Sequence, residues 1–403
     1  MKDMKEKKFS HLATVPGCPG WEVLSARAAS LYERDTMRDC FERDYTRILH
    51  SSAFRRLKHK TQVFPHVEND HICTRMEHVL HVESVSGVIA ESLGLSTHLT
   101  RAIALGHDLG HAPFGHQGEQ VLNRISLDTL GVRFWHEQNG LHFVEDIELL
   151  EDPWRVEHNL DLTYAVRDGI LSHCGEVDES SMRPRTEYID LSDFDSPGAY
   201  QSATWEGCVV KLADKIAYLG RDIEDADSLG MLGDGGQEAL RALQEEFGID
   251  ALNTTGIMNE MICDVCNYST PERGIALSPR CAELMKRTKD LNYTYIYYNP
   301  RFKAFSQYSK LVITEVFEAL MNEYTGEPYL AVKPEEVKRM PTLCGGFANF
   351  VTPYLDRPNP KYDNRKIYGD LTDKRLYTRA VLDYISGMTD AYLIRAFGEL
   401  VNF

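Results

Sequence analysis

Apolar positions recur along the chain at intervals of three and four far more often than they alternate, which predicts helices and few strands. In 74–93 (TRMEHVLHVESVSGVIAESL) the stripe runs through Val82, Val85 and Ile89. Gly94 follows as a stop, because a residue without Cβ can turn the chain out of a helix. Ser96 can then cap the next helix, which turns Ala102, Ile103 and Leu105 inward and reaches His107. The string GHAPFGHQG at 110–118 carries glycines and a proline and predicts a loop or broken turn. Helical spacing returns at 160–172, 206–226, 236–247 and 303–325, and a final helix is expected near 374–398. Between them, 174–202 is polar, with Pro184, Pro197 and many acidic residues, and reads as a long excursion serving as a lid or an oligomer contact. Residues 326–373 are again irregular. No repeat or low-complexity tract interrupts this order, and the fold class is all-α.

Composition narrows the setting more than the chemistry. The 403 residues are 43% hydrophobic and 26% charged, ordinary values for a globular protein that buries a large core. No apolar run reaches the roughly 18 residues needed to cross a bilayer, and the start, MKDMKEKKFSHLATVPG, lacks the apolar stretch of a secretory signal. Nine cysteines without a framework spacing suit a reducing cytosol, so a cytoplasmic protein with no membrane partner is expected. A net charge of −17 argues against nucleic acid as a general partner, but a pocket can be locally positive for a small anion. Arg55, Arg56, Lys58 and Lys60 concentrate positive charge, and their spacing reads as a solvated helix face.

The chemistry begins at AIALGHDLGH, where His107 and Asp108 end an apolar helix. An adjacent pair converges on one cation only if the backbone turns both side chains to the same side, and Gly106 and Gly110 permit that turn. Imidazole with carboxylate suits Mn, Fe, Co, Ni or Mg. Alone, such a dipeptide is common by chance. Its companions add weight: His78 lies on the preceding amphipathic helix, and Asp214 sits among Val209, Val210, Leu212, Ala213, Ile216 and Ala217. A carboxylate in such company needs a partner, either an arginine of another helix or a shared metal ion.

The ordered set His78, His107-Asp108 and Asp214 resembles the H…HD…D signature of the HD-domain superfamily. The strings FRRLKHKTQVF (54–64), TRMEHVLHV (74–82), HDLGHAPFGHQGE (107–119), FWHEQNG (134–140) and LADKIAYLGRDIED (212–225) resemble its deoxynucleoside triphosphate triphosphohydrolases, the dGTPase-like branch. The likeness covers 51–230 and is loose beyond 230. It implies an N-terminal segment (1–50), an HD-domain helical catalytic core (51–230) and additional C-terminal helices packed on it (231–403). It also implies one divalent metal ion per site, on His78, His107, Asp108 and Asp214. The expected reaction converts a dNTP, dGTP among them, to a deoxynucleoside and inorganic triphosphate. A homo-oligomer, tetramer or hexamer, follows from the same resemblance, which leaves a second, allosteric dNTP open.

That reaction needs an activated nucleophile, neutralised phosphate charge and a proton for the leaving 5′-oxygen. Histidines outside the metal shell titrate near neutrality and suit proton transfer. His111, His116, Glu119 and His136 match family positions along the α-phosphate. His116 and Glu119 stand three apart, so the carboxylate can support the imidazole if the stretch re-enters a helix. His173 is either a further pocket residue or the end of a helix. Arg75, one turn before His78, is positioned for the α-phosphate. Lys215, Tyr218 and Asp222 form one stripe on the Asp214 helix. The resemblance assigns Lys215 to the phosphates, Tyr218 to the deoxyribose, Asp222 to the 3′-hydroxyl and Gln62 to the sugar. Arg301 is left out of the site.

One distractor and two alternatives complete the reading. Cys263 and Cys266 form a CxxC with no second pair, and their helical spacing reads as core. A two-metal HD enzyme could recruit His111, His136 or His173, and a silent nucleotide-binding regulator would keep the ligands without turnover.

Overall fold

The computed structural model describes residues 7–29, 31, 37–65, 69, 71–175 and 181–401. Helices dominate. The longer ones are α1 (Cys40–His50), α2 (Arg75–Leu93), α3 (Thr97–Gly106), α4 (Gly115–Leu130), α5 (Tyr164–Ser172) and α6 (Trp205–Ser228). They continue as α7 (Gly233–Phe247), α8 (Thr254–Tyr268), α9 (Pro279–Asn292), α10 (Arg301–Asn322), α11 (Lys374–Ser386) and α12 (Asp390–Val401). A three-stranded sheet of very short strands, unforeseen in the sequence, pairs β1 (Leu149–Glu151) antiparallel with β2 (Glu157–Asn159), and β2 parallel with β3 (Tyr362–Asp363).

The helices start where the side chains can satisfy orphan amides. Thr74 and Glu77 form a reciprocal capping box at the head of α2, and Gly94, with φ at +87°, ends it in the left-handed region open to glycine. Ser96 caps α3 by accepting from the Leu99 amide. α2, α3 and α6 pack against one another as the central triangle; α1 and α5 lie on α3, and α8 and α9 on α6. Val79, Val82, Val85 and Ile89 of α2 are sealed, as are Val209, Val210, Ala213 and Ile216 of α6. Each such aliphatic side chain contributes roughly 1.5–3 kcal/mol on leaving water. α10 packs against α4, α11 and α12, and the hydrophobic core continues from Phe9 to Ala396.

Where helices begin and end departs in places from the pattern. The predicted 160–172 helix begins at Tyr164, because Asp44 holds Thr163 by its amide at 2.8 Å and its hydroxyl at 2.6 Å, outside the helix. The loop expected over 110–118 is shorter: Phe114 turns at φ +64°, and α4 starts at Gly115. The single helix expected at 374–398 is two. At Gly387 a Cβ would stand 3.1 Å from the Phe143 ring, and the chain turns there before α12. Asp390, at the head of α12, accepts from the Thr61 amide (3.1 Å), the Thr61 hydroxyl (2.6 Å) and the Phe114 amide (2.9 Å).

Three further expectations are corrected. Lys60 is not on a solvated face: it is buried, and its ammonium donates to the carbonyls of His111 and Ser386, while Arg55 and Lys58 do remain exposed. Cys263 is exposed and Cys266 half-buried, because α8 turns Ile257, Met261 and Val265 to the core and leaves Cys263 on the other side. In the described part of the 174–202 excursion, Met182 pairs with Ile275 in an isolated bridge, and Arg185 is bonded to Asp168 and to the Gln201 carbonyl. These contacts fasten Met182 and Arg185 to the body, against a lid at those residues, and do not bear on an oligomer contact.

Candidate metal centre

Three helices deliver the ligand set. His78 comes from the first turns of α2, His107 and Asp108 from the end of α3, and Asp214 from the middle of α6. His78 Nε2 lies 3.0 Å from Asp214 Oδ1 and 3.8 Å from Asp108 Oδ2. His107 Nε2 lies 3.4 Å from Asp108 Oδ1 and 3.9 Å from Asp214 Oδ1. A cation with bonds of about 2.0–2.3 Å holds neighbouring donor atoms about 3.0–3.7 Å apart, so the four side chains fit one ion with little movement.

The strongest sign of a missing partner is His107. Its Nδ1 faces the Ala104 carbonyl at 2.7 Å, which assigns the hydrogen to that nitrogen and leaves Nε2 as an acceptor. Nε2 is buried with no hydrogen-bond partner among the described residues. Two imidazole nitrogens and two carboxylates around that atom are a donor set for a divalent ion.

Gly110 lets the turn after Asp108 nest against the short helix His136–His142. A Cβ there would stand 2.1 Å from the His136 carbonyl oxygen and from the Gly140 amide nitrogen. The close approach brings a second layer of histidines over the first. His111 stacks on His136 with ring centroids 3.8 Å apart, and its Nε2 lies 3.0 Å from Asp108 Oδ1. His173 stands edge-on to His107 at 4.9 Å, its Nδ1 on the Ile170 carbonyl and its Nε2 buried without a partner among the described residues. His173 thus both ends α5 and lies beside the quartet.

Charge in this layer is opposed by burial throughout. Burial would raise the carboxyls of Asp108 and Asp214, but the imidazoles and the guanidinium facing them outweigh it. His107, His111 and Arg75 hold Asp108 far below its usual range, and His78 brings Asp214 down to about 2. Burial and Arg75 push His111 well down, and burial with His107 takes His173 to about 3. His136 moves the other way: burial opposes its charge, but Glu137 and Glu119 outweigh it and raise the imidazole.

Glu119 joins the two remaining histidines. It accepts from the His136 backbone amide at 3.1 Å and faces His136 Nδ1 at 3.1 and 3.2 Å, while His116 Nδ1 lies 3.5 Å from it. His136 is therefore its nearer partner. His116 is largely exposed, and His136 is buried. Arg75 is also buried and donates to Asp108 Oδ2 at 2.6 Å and to the Gln62 carbonyl at 3.3 Å. On α6, Lys215 reaches the Gly175 carbonyl at 3.4 Å, Tyr218 packs half-buried against the core, and Asp222 accepts from the Tyr297 hydroxyl. Burial raises Asp222 to about 7, Tyr297 opposing it only in part. Gln62 keeps a buried side-chain oxygen without a partner among the described residues. Arg301 is exposed and donates to the Leu229 carbonyl beyond α6.

Sequence reasoning paired Glu137 with His136 but missed Lys60, Cys174 and Tyr297. Cys174 adjoins a histidine in SHCGE, which was the available signal; nothing in the spacing marks Lys60 or Tyr297.

Residues 75–219 match the HD domain family. Relatives extend the match well beyond that segment. A deoxyguanosinetriphosphate triphosphohydrolase-like protein of Caldanaerobacter subterraneus subsp. tengcongensis is 32% identical over 370 residues, 91% of this chain and 86% of its own. Proteins of the same description from Clostridium perfringens (31%, 92% of this chain and 89% of theirs) and Desulfatibacillum aliphaticivorans (34%, 74% and 78%) agree. The chain belongs to this HD-domain, dGTPase-like family. No described helix is long and apolar enough to cross a membrane.

Proposed function

We propose that the protein is a metal-dependent phosphohydrolase that converts dNTPs, dGTP among them, to a deoxynucleoside and inorganic triphosphate. The observation that carries this reading is the convergence of His78, His107, Asp108 and Asp214 around an unpartnered, buried His107 Nε2. Family membership supports the nucleotide substrate. One divalent ion (Mn, Mg, Fe, Co or Ni) bound by these four residues supplies Lewis acidity and a fixed point for the α-phosphate.

The chain's own groups do the rest. Arg75, held against Asp108, fixes the orientation of that carboxylate and adds positive charge beside the phosphate. Glu119 raises the basicity of His136 and orients His116, and His116, the exposed one, hands a proton to the departing 5′-oxygen. His111, stacked on His136 and 3.0 Å from Asp108 Oδ1, is the further proton carrier in the layer. Lys215 serves the phosphates, Tyr218 packs on the deoxyribose, and Asp222 and Gln62 bind the sugar hydroxyl side. Residues 51–230 form the catalytic core, with 1–50 and 231–403 packed around it. The working protein is a cytoplasmic homo-oligomer, a tetramer or hexamer, and a second dNTP can act as an allosteric ligand.

Product analysis decides the matter. Each of the four dNTPs, alone and in pairs, is incubated with the protein and Mg, Mn or Co, and the products are separated by ion-exchange chromatography. Intact triphosphate with deoxynucleoside is expected. Pyrophosphate with dNMP, or orthophosphate with dNDP, would overturn attack at the α-phosphorus with loss of the 5′-oxygen.

A further inference from the structure

Beside the quartet stands a second group of donors: His136, His173 and Cys174, whose ligand atoms lie within 4.8 Å of one another. Their outer contacts aim them at a common point. Nδ1 of His173 is taken by the Ile170 carbonyl, and Nδ1 of His136 by the Glu119 carboxylate. Each contact engages Nδ1 and leaves Nε2 as the ring atom turned toward the shared space. A carbonyl or carboxylate on one ring nitrogen is how proteins orient an imidazole whose other nitrogen binds metal. His136 Nε2 lies 3.4 Å from Cys174 Sγ. A tetrahedral ion with nitrogen at about 2.0–2.1 Å and sulfur at about 2.3 Å separates those two atoms by about 3.5 Å. A simple thiol–imidazole hydrogen bond would account for that contact. It would not account for His173, buried, with Nε2 unpartnered among the described residues and aimed into the same space.

We propose that His136, His173 and Cys174 form a second cation site, selective for a zinc-class divalent ion, with an open fourth position beside the His78–His107–Asp108–Asp214 centre. The thiolate sets the selectivity: sulfur with two imidazoles suits zinc and cobalt, and it does not suit magnesium. On binding, the Cys174 S–H bond breaks, sulfur keeps the electron pair for the new metal–sulfur bond, and its proton leaves to buffer together with the one that Glu137 and Glu119 favour on His136 Nε2, whose electron pair goes to the metal–nitrogen bond. Occupancy removes His136 Nε2 from any other use. Zinc should therefore inhibit where magnesium does not, a consequence that, unlike the site itself, rests on the hydrolase reading.

The test titrates full-length, metal-free protein with cobalt. Two equivalents are expected, the second bringing the intense near-ultraviolet absorption of a cobalt–thiolate bond. Cys174→Ser should abolish that band and weaken the second equivalent at least about tenfold, leaving the first unchanged. His173→Gln should weaken the second equivalent as well. A single equivalent, or two with no thiolate band, would overturn the proposal. So would a Cys174→Ser titration like that of the wild type. Should Cys174→Ser fail to fold, the wild type still decides. Zinc, but not magnesium, should slow alkylation of Cys174 by iodoacetamide at least about tenfold, with exposed Cys263 as the internal control. Equal rates with both metals refute it. None of these readings involves turnover, so a protein that bound cobalt this way and hydrolysed nothing would sink the hydrolase reading alone.

Discussion

Around Asp383 a buried network has a partner for each of its polar atoms. His142 Nε2 faces the carboxylate at 2.9 Å, the Tyr368 hydroxyl donates to it at 3.0 Å, and Arg379 Nε reaches it at 2.8 Å. The other nitrogen of His142 is held by Asp146 at 2.8 Å, and Asp146 in turn by Arg365 at 3.0 Å. The cluster around His107 uses the same residue types, yet His107 Nε2, His111 Nδ1 and His173 Nε2 are all buried without a hydrogen-bond partner among the described residues. The contrast separates two purposes. A network that is complete within the chain holds the fold together. One that leaves several imidazole lone pairs facing a common space is built for something that arrives later, and it costs stability until then.

Substitution should expose this difference. The largest effect is expected from His107→Gln, which should lose the bound ion and lower turnover by more than about 10³-fold. The metal-free variant should change little in denaturant unfolding. A variant that kept its ion by elemental analysis, or that lost stability as heavily as the Asp383 variant, would erase the distinction.

Asp383→Ala should do the reverse. It strips the shared anion from His142, Arg379 and Tyr368, and breaking such a buried pair costs roughly 3–5 kcal/mol. Urea unfolding should show that loss, while the folded fraction keeps its metal stoichiometry. Stability within 1 kcal/mol of wild type (about the size of a single exposed ion pair) would mean that the network is ornamental.

The smallest effect concerns acid. Burial would raise the Asp383 carboxyl, but Arg379 and His142, with a hydrogen bond from Tyr368, bring it from 3.8 down to about 2. A carboxyl depressed in the folded state stabilises above its unfolded pKa, and that stability is lost as pH falls through the folded one. The difference, 3.8 minus 2, is worth about 2 kcal/mol, released between pH 4 and 2. His142 sharpens the lower edge, since its own raised pKa keeps it charged throughout that window. Comparing urea midpoints for wild type and Asp383→Asn across this range checks the sign. Parallel acid losses in the two proteins would show that Asp383 is not responsible.

Sequence alone could not have told these clusters apart. HFVED, with His142 and Asp146 four apart, carries histidine–carboxylate spacing as suggestive as the His-Asp pair of AIALGHDLGH. What was legible was periodic. The α2, α3 and α6 stripes follow from apolar spacing, and the quartet was legible through the family resemblance, with His78 and Asp214 on α2 and α6 and His107 and Asp108 just past the end of α3. What was not legible depends on contacts between distant segments. The break at Gly387 is enforced by the Phe143 ring, and the burial of Lys60 by carbonyls at 111 and 386. Glu119 is three residues from His116, but its nearer partner comes from a different helix. The CxxC misread has the same root, since helical spacing gives a face but not which face meets the core.

Asp390 carries a consequence for the order in which the protein is made. Its carboxylate ties together Thr61, beside Gln62, and Phe114, the hinge into the helix that bears His116 and Glu119, across separations of 329 and 276 residues. During vectorial synthesis the quartet of α2, α3 and α6 can assemble once residue 228 has left the ribosome. The Asp390 ties to Thr61 and Phe114 cannot form until residue 390 has followed. A nascent chain between those two points would hold the four side chains together while the segments at Thr61 and Phe114 were still unfastened, so the last of the order there would wait on translation.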